Sequence, residues 1–145
     1  MPRIRHQRGV AILEFALVAP FLLMMVFITT EFGRAFYAYN TLAKSVRDAS
    51  RYLSVYLPET HITEASNLIV YGSIQAGAQP QLVNLTAANV AAPVWGTAGA
   101  APVINVVTVR VTGYQFPLLT ASVFGLQFSG ITFPDITATM RSPQI

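Results

Sequence analysis

The chain has 145 residues, 53% of them hydrophobic and 10% charged, with nine Lys and Arg against six Asp and Glu and no cysteine. The missing cysteine excludes a disulfide framework and any thiolate-ligated metal, and the length leaves room for one modest core. The isoelectric point near 9.6 raises nucleic-acid binding, but Arg3, Arg5 and Arg8 carry the whole basic excess, and the remaining Lys and Arg form no patch with interleaved aromatics, so no nucleic-acid partner is expected.

From Val10 to Thr30 the chain is apolar except for one charge, Glu14. As a helix this run measures about 31 Å, against a hydrocarbon core of about 30 Å, so residues 10–30 are predicted to span a bilayer. The three arginines before it place the N-terminus in the cytoplasm and the chain beyond about residue 31 outside. A cleavable secretory signal shares the basic start. Its apolar stretch is shorter, however, and the small-residue candidate here, Ala16 to Ala19, runs directly into Pro20.

A carboxylate inside a membrane helix costs about 2.5–3.5 kcal/mol at the bilayer centre and less toward an interface, so Glu14 calls for a reason. It is the fifth residue after Gly9, in the run Gly9-Val10-Ala11-Ile12-Leu13-Glu14-Phe15. This resembles the processing site of type IV-like prepilins, where a membrane aspartyl peptidase cuts after the glycine. The resemblance implies cleavage between Gly9 and Val10, with Gly9, Glu14 and Phe15 serving peptidase recognition or assembly. Cutting there creates an amine on Val10, one helical turn from Glu14. Either that amine or a neighbouring subunit's then neutralises Glu14 in a medium where opposite charges attract strongly; resemblance to pilins favours the neighbour. The alternative is a carboxylate that is protonated or snorkels to the interface.

Helical pattern continues past the membrane edge. Phe32, Ala35, Tyr39, Leu42, Val46, Ala49 and Leu53 recur at spacings of three and four, the signature of a narrow apolar seam. Arg34, Thr41, Lys44, Asp48 and Arg51 lie off that seam, and Lys44–Asp48 and Asp48–Arg51 are at pairable spacings. Residues 10 to about 54 therefore read as one helix about 67 Å long, with Pro20 and Gly33 as places to bend. The seam has two uses, packing on the chain's own domain and packing against other helices of a filament.

Pro58 ends this helix. A second is predicted from Thr60 or Thr63, as N-cap, to Tyr71, with Gly72 as its stop. Residues 73–102, rich in Gly, Pro and Ala, read mostly as loop, with a brief ordered piece near Leu82 to Val90. Strand alternation then places Val107, Val109 and Val111 on one face of 104–112, opposite Thr108, Arg110 and Thr112. Tyr114 and Phe116 extend that strand before Pro117. A last strand over 134–141 sets Ile136, Ala138 and Met140 against Asp135, Thr137 and Thr139. With the segment 118–128 these form a small antiparallel sheet on the long helix, an α+β arrangement. The predicted organisation is a basic leader (1–9), a transmembrane helix (10–30), its extracytoplasmic continuation (31–56) and a small α+β domain (57–145).

Several stretches together, the processing site, Ala16 to Pro20, Glu31-Phe32-Gly33-Arg34, Ala49-Ser50-Arg51-Tyr52, Val70-Tyr71-Gly72 and Val107-Thr108-Val109, are similar to the TadE-like pseudopilins of tight-adherence pili. The resemblance implies a pilin-like fold and a single-pass inner-membrane protein with a periplasmic domain. It also implies processing by a prepilin peptidase and a role in pilus assembly rather than as main subunit. Its partners would be that peptidase, other pilin or pseudopilin subunits, the inner-membrane assembly platform and the lipid bilayer. An enzyme is the competing class, with little to support it. His6 leaves with the leader, Glu59, His61 and Glu64 fall short of a metal ligand set, and no phosphate loop, nucleophile elbow or dinucleotide fingerprint is present. Asp48 and Asp135 have no sequence-level partner. No catalytic residue, metal or cofactor is expected, and a signal-anchored periplasmic binding or scaffold protein that is never cut is the alternative function.

Intact-mass analysis of the protein from cells with an active prepilin peptidase should show a chain beginning at Val10. Gly9→Leu should leave the leader uncut, because the peptidase must accept a residue with almost no side chain there. A retained Met1–Gly9 segment in the unsubstituted protein counts against the processing reading.

Overall fold

The computed structural model describes residues 7–119, 122–123, 126–127 and 130–143. Arg3, Arg5 and the rest of residues 1–6 lie outside the described residues, as does part of the 118–128 segment. Helix α1 runs unbroken over Gln7–Ser54, through both Pro20 and Gly33. Its halves meet different surroundings. No part of its most apolar window is buried within the protein, whereas Ala38, Leu42, Val46, Ala49 and Leu53 are buried almost completely. Three serines, Ser45, Ser50 and Ser54, are buried with that stripe and donate their hydroxyls to the carbonyls of Thr41, Arg47 and Arg51, so no donor is stranded.

Helix α2, Ile62–Tyr71, turns Ala65, Ile69 and Val70 inward. The expected N-cap at Thr60 or Thr63 is not used. His61 is the N-cap, in left-handed conformation and without a side-chain cap bond, because the turn after Pro58 sets both Glu59 and His61 at positive φ. Thr60 spends its hydroxyl on the Leu57 carbonyl instead, and Thr63 falls inside the helix. At the other end Gly72 takes φ 73°, a conformation that favours glycine, and its N–H donates to Leu68 O at 3.1 Å. Gln81 ties the next loop to this terminus: its N–H donates to Val70 O at 2.7 Å and its Nε2 lies 3.1–3.2 Å from Leu68 O, Ile69 O and Ser45 Oγ.

Three strands, β1 (Val94–Ala98), β2 (Ile104–Val111) and β7 (Ile136–Arg141), form an antiparallel sheet in the order β1-β2-β7. Pairing sets Val109 opposite Ala138 and Trp95 opposite Val107. As the alternation requires, Val107, Val109 and Val111 are buried with Ile136, while Thr108 and Thr139 share a hydroxyl contact of 2.9 Å on the wetter face. Strand β1 corrects the loop expected over 73–102. It is an edge strand with Trp95 alone partly buried, so it needs no alternation to be held; its ladder to β2 suffices.

The 104–112 strand is not extended by Tyr114 and Phe116 as expected. Gly113, at φ 64°, turns the chain out of β2, and β3 (Gln115–Phe116) pairs with β6 (Ile131–Thr132) as a separate ribbon. Between them, among the described residues, β4 (Ser122–Val123) and β5 (Leu126–Gln127) pair only with each other. The core is thus one layer of α1 and α2 against the β2–β7 face, closed below by Tyr114, Phe116 and Phe133. Phe133 stands edge-on to Tyr39 at 5.7 Å and stacks parallel to Phe116 at 6.0 Å.

Tyr114 is buried, and its hydroxyl donates to the Val83 carbonyl at 3.0 Å. Burial pushes its phenol pKa above the ordinary value, opposed by the nearby Arg34 guanidinium. A raised folded-state pKa means that this contribution to stability is complete below the unfolded value of about 10 and is lost as pH climbs through the folded value. Tyr114→Phe should therefore cost about 1–2 kcal/mol at neutral pH. The penalty should shrink at alkaline pH, as read by denaturant unfolding of the full chain.

Candidate functional site

Of the functional residues expected from the sequence, those of the processing site, Gly9, Val10, Glu14 and Phe15, lie along α1 in the stretch the domain leaves uncovered. Val10, Ile12, Leu13, Phe15, Leu17, Phe21 and their apolar neighbours are exposed through Ile28. Glu14 is exposed among them, and among the described residues it takes part in no ion pair. The fold makes no demand for glycine at position 9: a Cβ there would meet nothing within 4 Å. A requirement for glycine at that point must therefore come from outside the chain.

The span closes with two features that suit lipid. Thr29 and Thr30 turn their hydroxyls back onto Met25 O and Val26 O at 2.8 and 2.9 Å, hiding both donors within the helix. Pro20 lacks an N–H, so the Ala16 carbonyl one turn earlier loses its helical donor, one irregularity in an otherwise saturated ladder.

At the exit the first charges after Glu14 are paired. Arg34 Nη1 donates to both carboxylate oxygens of Glu31, at 2.9 and 3.0 Å. Glu31 Oε1 also accepts the N–H of Leu119 at 3.1 Å, and the Arg34 guanidinium lies 5.1 Å from the centre of the Phe116 ring. One turn of helix is thereby tied to a loop 88 residues later. Gly33, between the two charges, lines open grooves on both sides of the helix, one with Asn40, Lys44 and Asp48, the other with Val83, Tyr114 and Pro117.

Of the expected packing residues, Leu42, Val46, Ala49 and Leu53 lie in the domain core, Ala35 packs against its margin, and Tyr39 is partly exposed beside Phe133. Phe32, expected in the seam, is exposed instead, within the Glu31–Arg34 turn. Among the described residues, Lys44, Asp48 and Arg51 form no ion pair; Asp135, without a partner in sequence, faces Arg110 at 3.8 Å. His61 Nδ1 lies 3.3 Å from Glu64, and its ring packs 4.1 Å from Tyr56; Glu59 does not join them. The tie between Glu31 and Leu119 has no sequence signal, since nothing near Leu119 marks it as a partner.

An exposed apolar helix, long enough to cross a membrane, that continues as the spine of a small antiparallel-sheet domain defines an α+β protein with a candidate membrane anchor. Residues 9–51 match the family model of TadE-like proteins. The match begins at the glycine of the expected cut and ends within the buried half of α1, so the Val70–Gly72 and Val107–Val109 stretches lie outside it. No curated protein and no solved structure matches the chain.

Proposed function

We propose that this chain is a minor, pilin-like component needed for assembly of tight-adherence pili, made as a precursor and cut between Gly9 and Val10 by a prepilin peptidase. The observation that carries the reading is Glu14: a carboxylate without an ion-pair partner among the described residues, in an exposed apolar helix, five residues after a glycine that the fold does not need. Such a charge in lipid costs free energy unless a group from another molecule meets it. A Val10 amine on a neighbouring subunit is chemically suited, and the exposed helix offers the surface on which that neighbour packs. The match over 9–51 supports a structural role in the Tad system, not an enzymatic one.

In this reading the leader arginines Arg3, Arg5 and Arg8 hold the N-terminus in the cytoplasm, so that the protein crosses the inner membrane once and its domain lies in the periplasm. The peptidase reads Gly9, with Glu14 and Phe15 beyond the cut. Other pilin or pseudopilin subunits, and the inner-membrane assembly platform, take the exposed face of α1.

Glu14→Ala separates processing from assembly. The variant should be inserted and cleaved, since removing an intramembrane charge lowers insertion cost, yet pilus yield should fall about a hundredfold or more, because losing one member of a buried ion pair costs about 3–5 kcal/mol. Glu14→Gln should be intermediate at best, keeping a hydrogen-bonding amide but no charge. Mass of the mature chain and pilus yield are measured on the same cells; normal pili from fully cleaved Glu14→Ala protein sink the docking role. A reporter that works only in the periplasm, fused after Ile145, should be active. Cytoplasmic labelling of that terminus overturns the orientation.

A further inference from the structure

We propose that the underside of the domain is a lipid-contacting surface: Val83 and Leu119, together with Phe32 of α1, rest in the headgroup layer of the leaflet from which the helix emerges, with Phe36 and Tyr37 at its outer edge. The inference rests on the membrane reading of residues 10–30 and not on a role in pili.

Height along the helix carries the argument. The span from Val10 to Thr30 matches the hydrocarbon thickness, which puts residue 30 at its boundary. The headgroup region adds about 5–8 Å on each side, or about four or five helical residues. Two domain loops are fastened at this level. The Leu119 N–H is bonded to Glu31, and Val83 lines a groove shared with Thr30, Gly33 and Arg34. Both loops are held, not merely near: Glu31 holds the first, and the Tyr114 hydroxyl holds the Val83 carbonyl. A domain fixed to the helix at these points cannot stand clear of the bilayer surface.

What it presents there suits an interface. Phe32, Phe36, Tyr37, Val83 and Leu119 are 66–73% exposed. Single exposed apolar side chains are ordinary, but these five lie within about two turns of the helix exit, on α1 or on loops lying against it, and one of them, Tyr37, is of a type enriched at the membrane–water boundary. The charges at the same height are spent on each other: Glu31 and Arg34 are paired, and Arg34 also covers the Phe116 ring. The rim therefore offers apolar and aromatic groups to the lipid with its local charge neutralised.

The chain has no cysteine, so single-cysteine variants can carry an environment-sensitive fluorophore one position at a time. The full-length protein would be labelled at Leu22, Val83, Leu119 or Glu59 and reconstituted into phosphatidylethanolamine–phosphatidylglycerol vesicles containing lipids spin-labelled at shallow or deep acyl positions. Labels at Val83 and Leu119 should be blue-shifted and quenched severalfold more by the shallow spin label than the label at exposed Glu59, at the far end of the domain. The label at Leu22 should be quenched by the deep one. Quenching at Leu22 with none at Val83 and Leu119 overturns the inference while leaving the span intact. Absence of quenching at all four overturns the span and the inference with it. Shielding at Val83 and Leu119 that appears only at high protein-to-lipid ratio, without lipid quenching, assigns the rim to a second copy and also overturns it.

Discussion

One helix has to satisfy two environments, and the remaining architecture depends on how it does so. Over its first half α1 keeps its backbone bonds within the helix, apart from the one lost at Pro20, and shows apolar side chains in every direction, the solution a bilayer demands because lipid supplies no hydrogen bonds. Over its second half the same helix narrows its apolar surface to the stripe from Ala38 to Leu53 and hands it to α2 and the sheet. The domain has little else to build on. With no disulfide, its few short elements gain cooperativity by sharing this one rigid spine.

The change of environment falls within a single turn. Glu31 and Arg34 are the first charges beyond Glu14, and they are not left to solvent: they bind each other, a loop amide and an aromatic face. A pair still partly open to solvent adds little stability by itself. Its value is positional, since it joins the spine to the 117–119 loop and thereby sets the level of the domain above the span. Gly33 between them leaves both flanks of the helix open at the exit.

Glu14 and Glu31 show how context divides two carboxylates of one helix. Glu31 has its partners within the chain, three residues and 88 residues away. Glu14 has no ion-pair partner among the described residues and lies inside the apolar span, one turn from its N-terminal edge, where an unmatched charge still costs free energy, though less than at the bilayer centre. The first is explained by the fold of this protein alone. No contact among the described residues accounts for the second, and for that reason it is the residue on which the functional reading turns.

The features legible in the sequence are those written at short range. Hydrophobic length marked the span, a three-four rhythm marked the buried stripe from Leu42 to Leu53, alternation marked β2 and β7, and Gly72 marked the end of α2. The Gly9–Phe15 run is likewise linear, so everything in the candidate site that a partner would read along one helix was visible without coordinates. Tertiary structure decided the rest. It made 94–98 an edge strand, turned Tyr114 and Phe116 away from β2 into a ribbon with 131–132, capped α2 at His61, paired Asp135 with Arg110 and joined Glu31 to Leu119. Periodicity reports which face of an element is apolar, because neighbours two, three or four residues apart share that face. It holds no information about which distant segment completes a ladder or a carboxylate's coordination, and those contacts exist only once the chain has folded back on α1.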